Sequence, residues 1–238
     1  MSPQQRSCSP NATGASLPAI KKKKPSTVAS AVPPKHRTFI EQARRLQILD
    51  AALELFASKG YNETSLSDIA GTLSISKGVI SYHFEGKAEL GAEAVRHMLR
   101  HYGEFVRQRL EGKASLRDKL LELPAACIDF VREHPSSYVV YLDTVGSFGT
   151  TADRQKFMAW ADAGMRTLIC EMLTEAQDRK EIPRFAVQPV ADVLQAAVDG
   201  LTQQASVAPK EVDLESSKRL LQKILAAIFD GRIELARR

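Results

Sequence analysis

Apolar positions fall into two regimes along the chain. Up to residue 37 they follow no period; from Phe39 onward they recur at helical spacing almost to the end. Residues 39–58 place Ile40, Ala43, Leu46, Ile48, Leu49, Ala52, Leu53 and Phe56 on one stripe, and Gly60 stands where a helix would end. Ser65 is placed to cap a second helix, and Asp68, three residues on, to return the bond. That helix ends near Leu73. After a short break at residues 74–76, Ser76 is placed to cap a third helix from about Lys77 to Phe84. Gly86 then precedes a long helix over residues 87–110, carrying Leu90, Ala94, Val95, Met98, Leu99, Tyr102, Val106 and Leu110. Further helices are predicted near residues 115–133, 136–147, 152–179, 187–206 and 213–235, with Pro135, Gly149, Pro183, Pro209 and Gly231 near their ends. Pro124 should kink or split the first of these. No stretch alternates like a strand, and there is no internal repeat. The predicted fold class is all-α.

Residues 1–37 are rich in Ser, Pro, Ala and Lys, with six prolines. They cannot bury enough apolar surface to offset ordering entropy, so a disordered basic tail is expected there. Charge sharpens the division. The 238-residue chain is +5 overall, yet residues 1–38 alone hold seven Lys and Arg and no acid. Residues 39–90 hold five Lys and Arg against seven Asp and Glu, and residues 91–238 are neutral. The basic balance therefore belongs to the tail, which would add salt-sensitive affinity for phosphates near a DNA-binding head.

Residues 39–90 differ from a generic bundle in three ways. Two short helices are joined by about three residues, with Ala70 where they must approach and Leu66, Ile69, Leu73, Ile75, Val79 and Ile80 to fill a small core. The third helix presents Lys77, Gly78, Ser81, Tyr82 and His83 outward, side chains that would let it enter a major groove roughly 12 Å wide. Hydroxyls cluster at helix starts, at Thr64, Ser65 and Ser76, where phosphates can be held. The reading is an N-terminal three-helix helix-turn-helix.

Over residues 44–90 the landmarks Ile48, Ala51, Ala52, Leu55, Phe56, Gly60, Tyr61, Thr64, Ile69, Ala70, Gly78, Tyr82, His83, Phe84, Lys87 and Leu90 stand in the order and spacing of one family. This stretch resembles the DNA-binding domain of the tetracycline-repressor (TetR) family. The resemblance implies that Lys77, Gly78, Val79 and Ser81 face base edges. It puts Tyr82, His83 and Lys87 on phosphates, with Ser65, Ser67 and Ser76 along the backbone. Ser81 departs from the bulkier residue common in the family, which puts more weight on Lys77. The resemblance also implies a helix-turn-helix domain over residues 38–86 and a helical effector-binding and dimerisation domain over 87–238.

The second domain carries no comparable motif. Candidate walls for an effector pocket are Tyr102, Phe105, Phe130, Tyr138, Tyr141, Phe157, Trp160 and Met165, and Asp143 and Asp162 lie among apolar neighbours. Two stripes are candidates for a dimer seam: Val190, Leu194, Ala197, Val198 and Leu201, then Leu214, Leu221, Ile224, Leu225, Ile228 and Phe229. Operator DNA, a second copy of the chain and a small-molecule effector are the expected partners, since paired heads read a palindrome better than one. Cys8, Cys127 and Cys170 form no CxxC pair and predict neither a disulfide framework nor a zinc knuckle. Without an apolar run of spanning length or a leader pattern, the expected setting is cytoplasmic, with no membrane contact. Glu93, His97 and His101 share one helical face but lack a fourth ligand, and no nucleophile turn or phosphate loop is present, so no cofactor or catalysis is expected. The competing reading is a helical protein that binds nucleic acid non-specifically through its tail.

Overall fold

The computed structural model describes residues 38–236. The expected disorder of residues 1–37 and the role of Cys8 lie outside them. Among the described residues the chain is helical throughout: α1 (Phe39–Lys59), α2 (Leu66–Thr72), α3 (Lys77–His83), α4 (Lys87–Leu110), α5 (Leu116–Glu133), α6 (Ser137–Gly146), α7 (Thr151–Asp178), α8 (Val187–Val207) and α9 (Leu214–Phe229).

Helix ends follow local chemistry. Thr38 caps α1 reciprocally with Glu41: the Glu41 N–H donates to Thr38 Oγ1 at 3.3 Å and the Thr38 N–H to Glu41 Oε2 at 2.8 Å. Gly60 ends α1 at φ +88°, a backbone that a Cβ would resist. Ser65 and Asp68 form the expected box on α2, with bonds of 3.1 and 2.7 Å. The Ser65 N–H and hydroxyl, with Lys59, hold the Asp68 carboxyl down to about 2. Ser74 turns the chain between α2 and α3 at φ +52°.

Two expectations are corrected and one is narrowed. Ser76 occupies the N-cap position of α3, but its hydroxyl makes no capping bond. Of the two outcomes expected at Pro124, the split does not occur: α5 runs continuously through it, losing one backbone donor on a segment buried from Leu123 to Phe130. The last helix stops at Phe229, not 235, where Asp230 and then Gly231 at φ +69° take the chain out of helical geometry.

The described residues form two compact units. Residues 38–99 and 140–158 make one, which is larger than the 38–86 suggested by the sequence. The buried cluster of Ile48, Leu49, Ala52, Phe56, Ile69, Ile80 and Phe84 extends past α3 and also takes in Leu90, Ala94 and Val140. α1 packs on α2, and α2 on α3. Residues 100–139 and 159–236 make the other unit, in which α5 packs on α8 and α9 around Leu120, Leu123, Ile169, Leu173, Leu194 and Leu225. α4 and α7 each run from one unit's residues into the other's.

Gly91 marks a close approach in the first unit. A Cβ there would meet Tyr61 Cε2 at 2.6 Å and Thr144 Cγ2 at 3.1 Å. The Tyr61 ring has no room to retreat: it is buried, and packs edge-on to Phe56 at 5.0 Å. Alanine would gain up to ~1 kcal/mol of helix propensity but cost about 1–3 kcal/mol in overpacking. Gly91→Ala is therefore expected to lower the melting temperature, measured by circular dichroism. An unchanged or raised midpoint would contradict this packing.

Candidate nucleic-acid interface

α3 separates its two faces cleanly. Ile80 is fully buried against the core, whereas Ser76, Lys77, Gly78, Ser81 and Tyr82 are exposed and Val79 is half-buried. Ser65 and Ser67 on the preceding helix are exposed as well. Most residues read from the sequence as base-facing or backbone-facing are thus exposed, and three are not free to face outward. His83 is only 7% exposed, edge-on to Tyr82 at 5.1 Å and tilted against Phe84, so it packs rather than facing outward. Thr64 is buried, and its hydroxyl donates to the Gly60 carbonyl at 2.7 Å. Lys87 donates to the Asn62 carbonyl at 2.9 Å and lies 4.5 Å over the Tyr61 ring, so it is committed inside the unit in this conformation.

Several positioning contacts were not read from the sequence. Arg45 donates to the His83 carbonyl at 2.7 Å, pairs with Glu93 at 3.1 Å and lies 4.1 Å over Phe84. One guanidinium therefore joins the C-terminal end of α3 to α4, and its charge suits the negative end of a helix. Glu93 also pairs with Arg96, which lies over the Phe157 ring. The Tyr82 hydroxyl donates to Glu41 Oε1 at 2.7 Å, and that bond, with those from Thr38, holds the Glu41 carboxyl below its ordinary range. The Tyr61 N–H donates to Asp143 Oδ2 at 2.6 Å, so Asp143 is an anchor within this unit rather than a pocket acid. His97 bonds Asp50 at 2.7 Å; among the described residues no group of three or more acids, His and Cys could hold a metal. None of these partners is periodic in sequence, which is why the pattern of apolar positions did not reveal them.

The candidate effector residues divide. Tyr141 and Phe157 belong to the unit that carries α3, where Phe157 packs edge-on to Phe148 at 5.0 Å. In the other unit Tyr102, Phe105 and Phe130 form an aromatic cluster with centroids 5.1 and 5.5 Å apart, extended by His134; Tyr138 and Trp160 are half-buried. Tyr102 and Met165 line a cavity with Leu123, Pro124, Cys127, Ile169, Leu194, Gln195, Val198 and Asp199. Its volume is about 10 Å³, room for roughly one water. Burial pushes the Cys127 thiol up to about 12, so it is a packing group and not a nucleophile. Burial, and secondarily Asp162, raises the Asp199 carboxyl to about 6 although Asp199 as a residue is exposed, which fits a carboxylate at the cavity's open edge. Asp199 is one of two acids on the largely apolar α8, with Asp192, a signal the sequence reading passed over.

The expected dimer stripes also divide. Leu194, Val198 and Leu225 are buried inside the protomer, and Val190, Leu221 and Ile228 pack partly against that core. Ile224 is exposed and Leu201 half-buried. The apolar side chains left open on α8 and α9 are Val193, Val207, Leu220 and Ile224, one register away from the inward residues.

Residues 48–94 match the family model of bacterial regulatory proteins of the tetR family. Residues 116–230 match that of the BetI-type transcriptional repressor C-terminal region. The chain is 25% identical over 194 residues to the HTH-type transcriptional regulator BetI of Cronobacter sakazakii, covering 81% of this chain and 94% of that one. It is 26% identical over 182 residues to BetI 1 of Chromohalobacter salexigens, covering 76% and 88%. Among solved structures it shares the fold of a TetR-family regulator from Rhodococcus (TM-score 0.67, 23% identity, 79% of this chain and 99% of that chain). It shares it also with a regulator from Saccharomonospora viridis solved in complex with choline (TM-score 0.65, 21% identity, 78% and 96%). With a helix-turn-helix head opening on α3 and a helical body carrying its own BetI-type match, the chain belongs to the TetR family of transcriptional regulators.

Proposed function

We propose that this regulator is a repressor that binds a palindromic operator as a homodimer and releases it when a compact organic cation enters the cavity walled by α4, α5, α7 and α8. The observation that carries the operator reading is the exposed leading turn of α3, with Lys77, Gly78 and Ser81 clear of the core while Ile80 anchors the helix beneath. Ser65, Ser67, Ser76 and Tyr82 flank that turn and would hold phosphates. The open apolar residues of α8 and α9 support self-association. The head reading of residues 38–86 and the body reading of 87–238 follow from the same division of labour. Such a protein works by binding, not catalysis, in the compartment that holds DNA, the cytoplasm. No helix among the described residues is long and apolar enough to cross a membrane.

The cation class follows from the cavity. Its walls are apolar and aromatic, Asp199 is its carboxylate, and Tyr102 offers a ring face. The choline bound by the Saccharomonospora relative has this chemistry. At about 10 Å³ the cavity is too small for such a cation, so entry has to displace Tyr102 or Met165. Tyr102 stands on α4, whose earlier turns carry Glu93 and the tie through Arg45 to α3. A ligand that binds only the open arrangement shifts the population toward it.

Selection of bound duplexes from a random pool should return a palindrome with half-sites about one helical turn, or a small multiple of it, apart. Choline should then lower the fraction bound. Its affinity should rise with pH through about 6, because the ionised form of Asp199 is the counter-ion; Asp162 reinforces and Arg166 opposes the negative potential there. Asp199→Asn should weaken choline at least tenfold in calorimetry and flatten that pH dependence. Random, unpatterned sequences would sink the operator reading, and equal choline affinity in Asp199→Asn the cation reading.

A further inference from the structure

Tyr82 has one hydroxyl proton, and the fold already holds it. The hydroxyl donates to Glu41 Oε1 at 2.7 Å, from α3 to the first turn of α1. The other oxygen of that carboxylate accepts from the Thr38 N–H at 2.8 Å and from the Thr38 hydroxyl at 3.3 Å. The pair stands at the surface: Tyr82 is 68% exposed, and Phe39 and Ile40, just before Glu41, are 85% and 78% exposed. Glu41 is anionic there, because the Tyr82 hydroxyl first, and then the Thr38 N–H, holds its carboxyl below the ordinary range.

This arrangement opposes the phosphate contact proposed for Tyr82. A phosphodiester oxygen is an anion without a proton, so it bonds a tyrosine by accepting that same hydrogen. One proton does not serve two anions in full. For a phosphate to take it, the bond to Glu41 must open, and the carboxylate is left beside the phosphate that displaced it. One charge-assisted bond is exchanged for another of similar strength, and two like charges are brought together. The head has little positive charge to offset this. Residues 39–90 hold seven acids against five bases; Arg45 is tied to His83 and Glu93, and Lys59 to Asp68 at 3.0 Å. Phosphate contact therefore leans on neutral donors, of which Tyr82 is one.

We propose that Glu41 is a built-in competitor of DNA phosphate: it holds the Tyr82 hydroxyl in the DNA-free head and so limits how tightly that head binds any duplex. It rests on the reading of Tyr82 as a phosphate contact and names the group that opposes it. The contested hydroxyl serves the backbone and not a base edge. The limit therefore applies to all sequences alike and leaves base preference to the leading turn of α3.

The test is a double-mutant cycle in the full chain with Glu41→Gln and Tyr82→Phe, read as dissociation constants on the selected operator and on a scrambled duplex. Glutamine keeps an acceptor at the third residue of α1, so the cap with Thr38 survives, and melting by circular dichroism checks it. Glu41→Gln should tighten both duplexes about fivefold, since a neutral amide is the weaker acceptor and does not repel the phosphate. In the Tyr82→Phe background the same change should shift binding less than about twofold. The bases selected from a random pool should stay those of the wild type. Equal tightening with and without the hydroxyl would overturn the competitor and leave Glu41 a general repulsive charge. Weaker binding by a folded Glu41→Gln would overturn it too, making Glu41 the residue that orients Tyr82 toward DNA. Unchanged binding would show that this hydroxyl meets no phosphate. Tyr82→Phe alone leaves the cap untouched and should cost the wild-type head less than about twofold; a loss of about tenfold would mean that the hydroxyl reaches phosphate unopposed. If no palindrome emerges, the operator reading fails by itself, and the cycle on the scrambled duplex still decides the role of Glu41.

Discussion

Alanine at Asp129 is expected to lower the unfolding free energy by about 3 kcal/mol, the low end of the cost of breaking a buried ion pair. Only 5% of the Asp129 side chain is exposed, and three cations converge on it: Lys218 at 2.9 Å, Arg109 at 3.1 Å and Arg132 at 3.3 Å. Burial on its own raises this carboxyl, and Lys218, Arg132 and Arg109 more than reverse it, leaving the group below its ordinary range. Removing it takes from Lys218, itself only 13% exposed, its buried partner. The loss sits at the low end because each cation keeps a second partner: Lys218 and Arg132 retain Glu215, and Arg109 retains Glu122. The midpoint should fall by roughly 6–12 °C. Arg132→Ala, in which a half-exposed partner is removed, should cost under about 1 kcal/mol. The pH dependence has a defined sign. A carboxyl lowered in the fold stabilises above its unfolded value of about 4, and that contribution disappears as pH falls through the folded value. The gap between wild type and Asp129→Ala should therefore be full at pH 7 and shrink in acid. Urea titrations at both pH values check it; a variant within 1 kcal/mol of wild type at pH 7 would show that the three contacts contribute little.

That network also shows what the sequence conveyed and what it did not. Helices were legible because burial of Ile48, Leu49, Ala52 and Phe56 forces a 3.6-residue period, and because Ser65 with Asp68 and Gly60 punctuate locally. The exposed face of α3 was legible for the same reason: a seven-residue helix with one fully buried anchor, Ile80, must show its other side. His83 was misread because it adjoins Tyr82 at the end of that helix, where one residue's rotation moves a side chain from solvent to core. The dimer stripes mix inward and outward residues for a related reason. Amphipathic spacing names an apolar face but not which neighbour covers it, and Leu194, Val198 and Leu225 are covered from within the protomer. Partners far apart in sequence carry no period at all. Arg45 meets Glu93 across 48 positions, Asp129 meets Lys218 across 89, and Asp143 meets Tyr61 across 82. Such pairs exist only once the helices have packed.

Lys77→Glu should move stability and DNA binding in opposite directions. Lys77 is the first residue of α3, exposed, at a helix start where no side chain caps the free N–H groups and no acid occupies the first turn. A cation there opposes the helix dipole, and a carboxylate favours it by about 0.3–1 kcal/mol, toward the low end for a seven-residue helix. The same position leads into the groove. Reversing it removes the contact proposed to reach a base edge, worth about 1–3 kcal/mol, and sets a carboxylate against the phosphates of both half-sites. Operator affinity should fall at least a hundredfold while the melting temperature holds or rises slightly. Lys77→Ala should lose less affinity and relax preference at one base pair per half-site. A destabilised Lys77→Glu would mean that the lysine packs against the fold. Undiminished operator binding by a stable Lys77→Glu would mean that α3 does not lead with its first turn, and the surface joining Ser65, Ser67 and Tyr82 would have to meet DNA some other way.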